Sequence, residues 1–172
     1  MSSKTETRLT PTSYIVLSLI AVSGEATPYE LKSAMAAGIR DLWSLQHAQL
    51  YTEPARLAKA GLLRERQEEE GRRRKHYRIT EKGRRALSDW LKEPPAELAE
   101  LRDPGLLKLF FGADPKEIAE TRLTLHEEKL AEYEELLRQG EGVAPVGPML
   151  VVQAGLGHER EWVRFWSSIL ES

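Results

Sequence analysis

No cysteine occurs in the 172 residues, which excludes disulfides, thiolate-bound zinc and a thiol redox sensor. There is also no apolar run near the ~20 residues that a membrane span needs. The longest candidate, Tyr14 to Val22, is interrupted by Ser18 and ends at Ser23-Gly24. The first ten residues are polar and lack the apolar core of a signal peptide, so a cytoplasmic location is expected, with no membrane partner. Histidine is sparse: His47, His76, His126 and His158 form no i, i+3 or i, i+4 pair, so no metal site is expected. No nucleophile–base constellation and no glycine-rich phosphate loop after a strand is visible, so neither an enzyme nor a cofactor is expected.

What is present is a packable and strongly polarised chain. Hydrophobic residues make up 41 % of it, enough for a core and too many for disorder. The formal net charge of −2 conceals an asymmetry: residues 1–95 carry 17 Lys+Arg against 12 Asp+Glu, and residues 96–172 carry 8 against 15. A basic half beside an acidic half points to a polyanionic partner for the first half only.

Residues 1–9 read as an arm. Thr10-Pro11 then opens a helix in which Tyr14, Leu17, Ile20 and Ala21 recur at helical spacing, and Gly24 stops it. Thr27-Pro28-Tyr29-Glu30 is a second start, with Thr27 as N-cap, proline in the first position and Glu30 at the capping-box place. A third helix is expected from about Ser44 to Gly61. Pro54 lies inside it, and proline in a helix interior removes a hydrogen bond at a cost of about 3 kcal/mol. The pattern therefore allows either a kink near Gln49–Leu50 or a short turn ahead of a helix starting at Glu53-Pro54. A hairpin follows, with strands over 63–67 and 76–80 and a charged tip, Glu68 to Lys75, that holds Gly71 and then Arg72, Arg73, Arg74 and Lys75. Thr80-Glu81-Lys82-Gly83 opens a fourth helix with Leu87, Trp90 and Leu91 on its apolar face, closed by Pro94-Pro95.

A helix, a glycine stop and a hairpin with a basic tip is the layout of a winged helix-turn-helix. The second half reads as helical throughout. Asp103-Pro104 and Asp114-Pro115 start helices, and in the longer of these Ala119, Leu123, His126, Leu130, Tyr133 and Leu137 alternate four and three apart as a heptad seam. The last helix, about Met149 to Leu170, carries a wide apolar arc with Trp162 and Trp166 on it. Gly155 and Gly157 either permit close contact with another helix or mark a break. The expected fold is mainly α, with a winged helix-turn-helix domain over residues 1–93 and a helical dimerisation domain over 94–172.

Local matches now stand together. Thr27-Pro28-Tyr29-Glu30-Leu31 is similar to the segment opening the second helix of PadR-type transcriptional regulators. Leu50-Tyr51, Arg56-Leu57 and Gly61-Leu62 resemble that family's recognition-helix signature. Gly71 to Gly83 resembles its wing and fourth-helix start, and Leu107-Lys108-Leu109-Phe110-Phe111-Gly112 the opening of its C-terminal region. Thr27 stands where the family usually has glycine, and Pro54 where it often has leucine. The resemblance implies a homodimer held by C-terminal helices, whose winged domains bind a pseudo-palindromic operator in double-stranded DNA, usually as a repressor relieved by a small molecule or stress signal.

Candidate contacts follow. Gln46, Gln49, Tyr51 and Thr52 lie where the recognition helix should meet bases; glutamine suits adenine and threonine a thymine methyl. Tyr51 packs inward on the other reading, and His47 either reaches a phosphate or is an ordinary surface histidine. Arg72, Arg73, Arg74 and Lys75 suit the phosphate backbone, unless Glu68, Glu69 and Glu70 neutralise them. Tyr14 and Tyr29 are weaker phosphate candidates. The dimer contact is expected at Leu123, His126, Leu130, Tyr133, Leu137, Trp162 and Trp166. Trp90, Trp162 and Trp166 would line a pocket for a small hydrophobic or aromatic effector, or else are core. A winged module that binds an acidic protein is the alternative to DNA.

Overall fold

The first helix, α1 (Pro11–Ser23), begins where Thr10 lends its backbone N–H to the Ser13 hydroxyl at 2.9 Å. It ends at Gly24, whose φ of 77° suits a residue without a Cβ. Ser13, Val16, Leu17 and Ile20 form its buried stripe. In α2 (Pro28–Gly38) the expected capping box is closed: the Thr27 backbone N–H donates to Glu30 at 2.7 Å, and Glu30 N–H returns a bond to Thr27 Oγ1 at 3.3 Å. Leu31 and Met35 of α2 meet the α1 stripe in one core with Leu50 and Leu57 of α3 (His47–Lys59). The computed structural model describes residues 7–38, 43, 45–71 and 73–172. The first six residues of the expected arm, Ser44 and Arg72 therefore lie outside the described residues.

Gly61, at φ 75°, turns the chain out of α3 into β1 (Leu63–Gln67), which pairs antiparallel with β2 (Lys75–Ile79), Leu63 opposite Ile79. Sequence reasoning placed the second strand one residue later, at 76–80. Lys75 instead joins the ladder opposite Gln67, and Thr80 is taken by the next helix as its N-cap. Ala26 adds one rung beyond β2 through reciprocal backbone bonds with Tyr77, at 3.0 and 2.9 Å. Leu63, Tyr77 and Ile79 are buried, so one face of the hairpin closes the core, as strand alternation requires.

The junction between hairpin and α4 (Glu81–Lys92) accounts for the Thr80 to Gly83 motif. Thr80 donates its hydroxyl to the Gly61 carbonyl at 2.8 Å and accepts from Gly83 N–H at 3.1 Å. A Cβ on Gly83 would come within 2.2 Å of the Leu62 carbonyl oxygen, so only glycine lets the helix sit this close. Leu87 is buried, but Leu91, expected on the same inner face, is 67 % exposed; Leu87 is the last core residue of this helix.

The chain divides into two compact units, Met1–Glu97 and Leu98–Ser172. In the second, α5 (Pro104–Phe110) is capped by Asp103, α6 (Pro115–Gly140) by Asp114, and α7 (Val146–Leu170) packs along α6. The expected seam exists as a half-buried face of α6, and two of its residues, His126 and Tyr133, meet α7 of the same chain. A Cβ on Gly155 would lie 2.6 Å from the Tyr133 ring, so this glycine marks close approach and α7 runs on unbroken. His126 stacks on Trp162 with ring centroids 5.6 Å apart. Arg122 ties α5 to this pair, reaching Asp103 on one side and His126 Nε2 at 3.0 Å on the other. Arginine only donates, so His126 Nε2 accepts and its Nδ1–H donates to Glu159 of α7. Among the described residues, no helix is long and apolar enough to cross a membrane.

Candidate nucleic-acid interface

The third helix starts at His47 with Gln46 as its N-cap. Gln46 therefore stands at the helix entrance rather than on a helical face, and its backbone N–H donates to the Gln49 side-chain oxygen at 3.1 Å. The helix runs through Pro54 without a new start, which overturns the alternative of a helix beginning at Glu53-Pro54. Leu50, Pro54 and Leu57 are its buried residues. This i, i+4, i+7 stripe puts the proline ring in the core, where packing offsets the hydrogen bond that Leu50 loses. The same stripe turns His47, Gln49, Tyr51 and Thr52 outward. Tyr51 is 51 % exposed and does not pack inward.

Arg56 fastens α3 to the start of α1. Its Nε donates to Glu53 at 2.8 Å, its Nη2 to Glu53 at 2.6 Å and to Ser13 Oγ at 2.9 Å, and its Nη1 to the Arg8 carbonyl at 3.2 Å. Burial pushes the Glu53 carboxyl up, but hydrogen bonds from Arg56 and Ser13 outweigh it and hold the group below the usual carboxylate range. These contacts bracket Pro54. They had no signal in the helical pattern, since Ser13 is 43 residues away from Arg56.

The wing is fixed by its own side chains. Gln67 donates to the Arg73 carbonyl at 3.1 Å; Glu68 accepts from the Arg74 backbone N–H at 3.1 Å and meets His76 Nε2 at 2.9 Å. Gly71 turns with φ 70°, and Arg73 is held at φ 47°, the left-handed region that a non-glycine residue enters at a cost. The tip glutamates do not pair with the Arg73 or Arg74 side chains. Glu68 is spent on His76 and on backbone, and among the described residues the side chains of Arg73 and Arg74 form no ion pair. Lys75 differs: within β2 it is bound to Glu65 at 2.8 Å, and that bond lowers the Glu65 carboxyl.

These elements meet at one groove of about 720 Å³, lined by Thr27 to Glu30 at the start of α2, Tyr51 of α3, and Arg74, Lys75 and Tyr77 of β2 and the turn before it. Tyr29 is 69 % exposed there, and Thr27, through its backbone N–H, keeps the Glu30 carboxyl below its ordinary range. Three phenols, of Tyr29, Tyr51 and Tyr77, and two cations thus line the gap between α3 and the wing. Tyr14 lies elsewhere in this unit. It is half-buried and stacked on Trp90, centroids 4.6 Å apart and planes 6° from parallel. Trp162 and Trp166 belong to the second unit, where they stack 6.3 Å apart with Trp166 fully buried.

An outward polar helix, a glycine exit and a basic hairpin around one core define a winged helix-turn-helix unit, here joined to a helical C-terminal unit. Residues 16–89 match the Transcriptional regulator PadR-like family, and residues 101–172 match Virulence activator alpha C-term. The Negative transcriptional regulator PadR of Bacillus subtilis (strain 168) is 26 % identical over 172 aligned positions, covering 91 % of this chain and 94 % of that protein. The chain thus carries a PadR-like domain over residues 16–89 and is a PadR-like transcriptional regulator. The crystal structure of Bacillus subtilis PadR in complex with operator DNA matches with a TM-score of 0.83 at 23 % identity, over 96 % of this chain and 99 % of that one. The same protein in complex with p-coumaric acid matches at 0.73 and 22 % identity, over 95 % and 97 %. Both likenesses are likenesses of fold.

Proposed function

We propose that this regulator acts in the cytoplasm as a homodimer that binds a pseudo-palindromic operator in double-stranded DNA, represses transcription, and is released by a small aromatic or hydrophobic effector. The observation that carries the reading is the groove where Tyr29, Tyr51 and Arg74 converge beside the outward face of α3. Gln49 and Thr52 address base edges in the major groove. Arg73 and Arg74 address phosphates, a contact that releases counterions and weakens with salt. The two copies of α3 must stand about 34 Å apart to enter successive major grooves.

The second copy is held through α6 and α7. Since the seam residues His126 and Tyr133 are engaged by their own chain, the faces left for a partner carry Leu125 and Leu136 of α6 and Leu150 and Val151 of α7, all exposed. Leu125 and Leu136 are three turns apart, hence on one side of the helix. The effector reading is supported by the clustered Trp162, Phe165 and Trp166 rings and by the relative's complex with p-coumaric acid. Trp90 contributes to it only as part of the Tyr14 stack.

Selection of duplexes by the full chain from a random pool tests this. The expected product is an inverted repeat with half-site centres about 10 base pairs apart, bound by wild type and lost in Leu136→Glu, which becomes monomeric. A pool that gains no common sequence would leave the wing to an acidic protein partner instead.

A further inference from the structure

The outer face of the wing carries more positive charge than the fold can use. The β1–β2 register sets Arg64 opposite Arg78 and Arg66 opposite His76. These four share the face turned away from Leu63, Tyr77 and Ile79, which point into the core. Like charges directly opposite one another destabilise an antiparallel pair, so the Arg64–Arg78 rung works against the hairpin that contains it. One carboxylate serves the paired arginines of this face, and His76 is shared between it and Glu68, the latter at 2.9 Å. Glu25 takes Arg66 at 2.9 Å, Arg78 at 3.4 Å and His76 at 3.6 Å. Arg64 forms no ion pair among the described residues. Arg66 and Arg78 remain 61 % and 66 % exposed despite their partner. The five side chains surround a hollow of about 260 Å³, and three guanidiniums against one carboxylate leave it cationic.

We propose that this face binds the sugar–phosphate backbone of duplex flanking the sequence that α3 reads. This rests on the DNA-binding reading above and extends it. The groove side of the wing presents Arg74 to one backbone strand. A wing standing over the minor groove has a second backbone strand on its other side, and the Arg64–Arg66–Arg78 face is what it presents there. Planar guanidinium forks suit phosphate oxygens and remain charged at all working pH values. A phosphate in the hollow also removes the Arg64–Arg78 repulsion, so the hairpin gains order on binding.

The probe is the duplex that wild type selects from the random pool, used in two lengths: with about ten extra base pairs at each end, and trimmed to the outermost selected pair. The variant is Arg64→Ala with Arg78→Ala in the full chain. On the long duplex the variant is expected to bind roughly tenfold or more weakly at 0.1 M salt, with the salt slope reduced by about 2. On the trimmed duplex it should match wild type. Its melting temperature should not fall, because a repulsive pair has been removed. Equal affinity of variant and wild type for the long duplex overturns the inference and hands the face to an acidic protein. An equal loss on both lengths also overturns it, as does a lowered melting temperature with no change in salt slope. Wild type that selects no duplex sinks the DNA reading along with this one, whereas an unaffected variant sinks this one alone.

Discussion

Replacing Arg56 with alanine tests how the recognition helix is held. The change removes the bonds to Glu53, Ser13 and the Arg8 carbonyl and strands a Glu53 carboxylate whose side chain is only 12 % exposed. Hydrogen bonds to charged groups contribute about 1.5–3 kcal/mol each. The Arg56 side chain is 39 % exposed, so solvent screening discounts the set, and a total loss of about 2–3 kcal/mol is expected. For a chain of this length that lowers Tm by about 5–10 °C. Adding Glu53→Gln to Arg56→Ala should recover part of the loss, because the stranded charge is gone. The pH dependence has a definite sign. The Glu53 carboxyl is depressed in the folded state, so its contribution is present above the unfolded carboxylate pKa and is lost as pH falls through the folded one. The gap between wild type and Arg56→Ala should therefore narrow as pH drops below about 4.5. Urea titrations at pH 7 and pH 3.5 measure it. A loss under about 0.5 kcal/mol at pH 7, or a gap that does not narrow in acid, refutes the reasoning.

Two contrasts within single elements follow the same logic. Gly155→Ala puts a Cβ 2.6 Å from the Tyr133 ring and should cost about 1–3 kcal/mol through overpacking. Gly157→Ala meets nothing within 4 Å and should stabilise α7 by up to ~1 kcal/mol; chemical denaturation of both decides, and like signs would contradict the α6–α7 packing. Arg73→Gly relieves a left-handed φ of 47° and should raise stability by about 0.5–1 kcal/mol while weakening binding to every duplex and lowering the salt slope by about 1. Unchanged DNA affinity would remove this side chain from the interface.

Most element starts were legible because they are local. Thr27 and Glu30 lie three residues apart, as do Thr80 and Gly83, and each pair closes on itself. The wing was legible for the same reason: Gly71 and a cationic turn between two short apolar-ended strands. What failed depended on distant chain. Pro54 reads as a helix breaker until the core that buries its ring is known. A heptad on α6 does not say which helices meet it, and the approach of Gly155 to Tyr133, which brings α7 onto that face, had no signal in α6 itself. The partner of Lys75 was missed because counting charges put Glu68 beside it, whereas the cross-strand ladder put Glu65 within reach. The cationic outer flank of the wing was within reach of strand alternation alone, since Arg64, Arg66, His76 and Arg78 fall on one side once the register is set.

A rod with one strut removed flexes first at the gap. Pro54 withholds the N–H that the Leu50 carbonyl would take, and the gap falls between the half of α3 that carries the outward Gln49 and Thr52 and the half bolted down by Arg56. Leu50 sits at that gap with its side chain buried in the core, so packing rather than the backbone ladder holds the two halves in line. A substitution that shrinks Leu50 would therefore loosen the helix at its one missing rung before anywhere else.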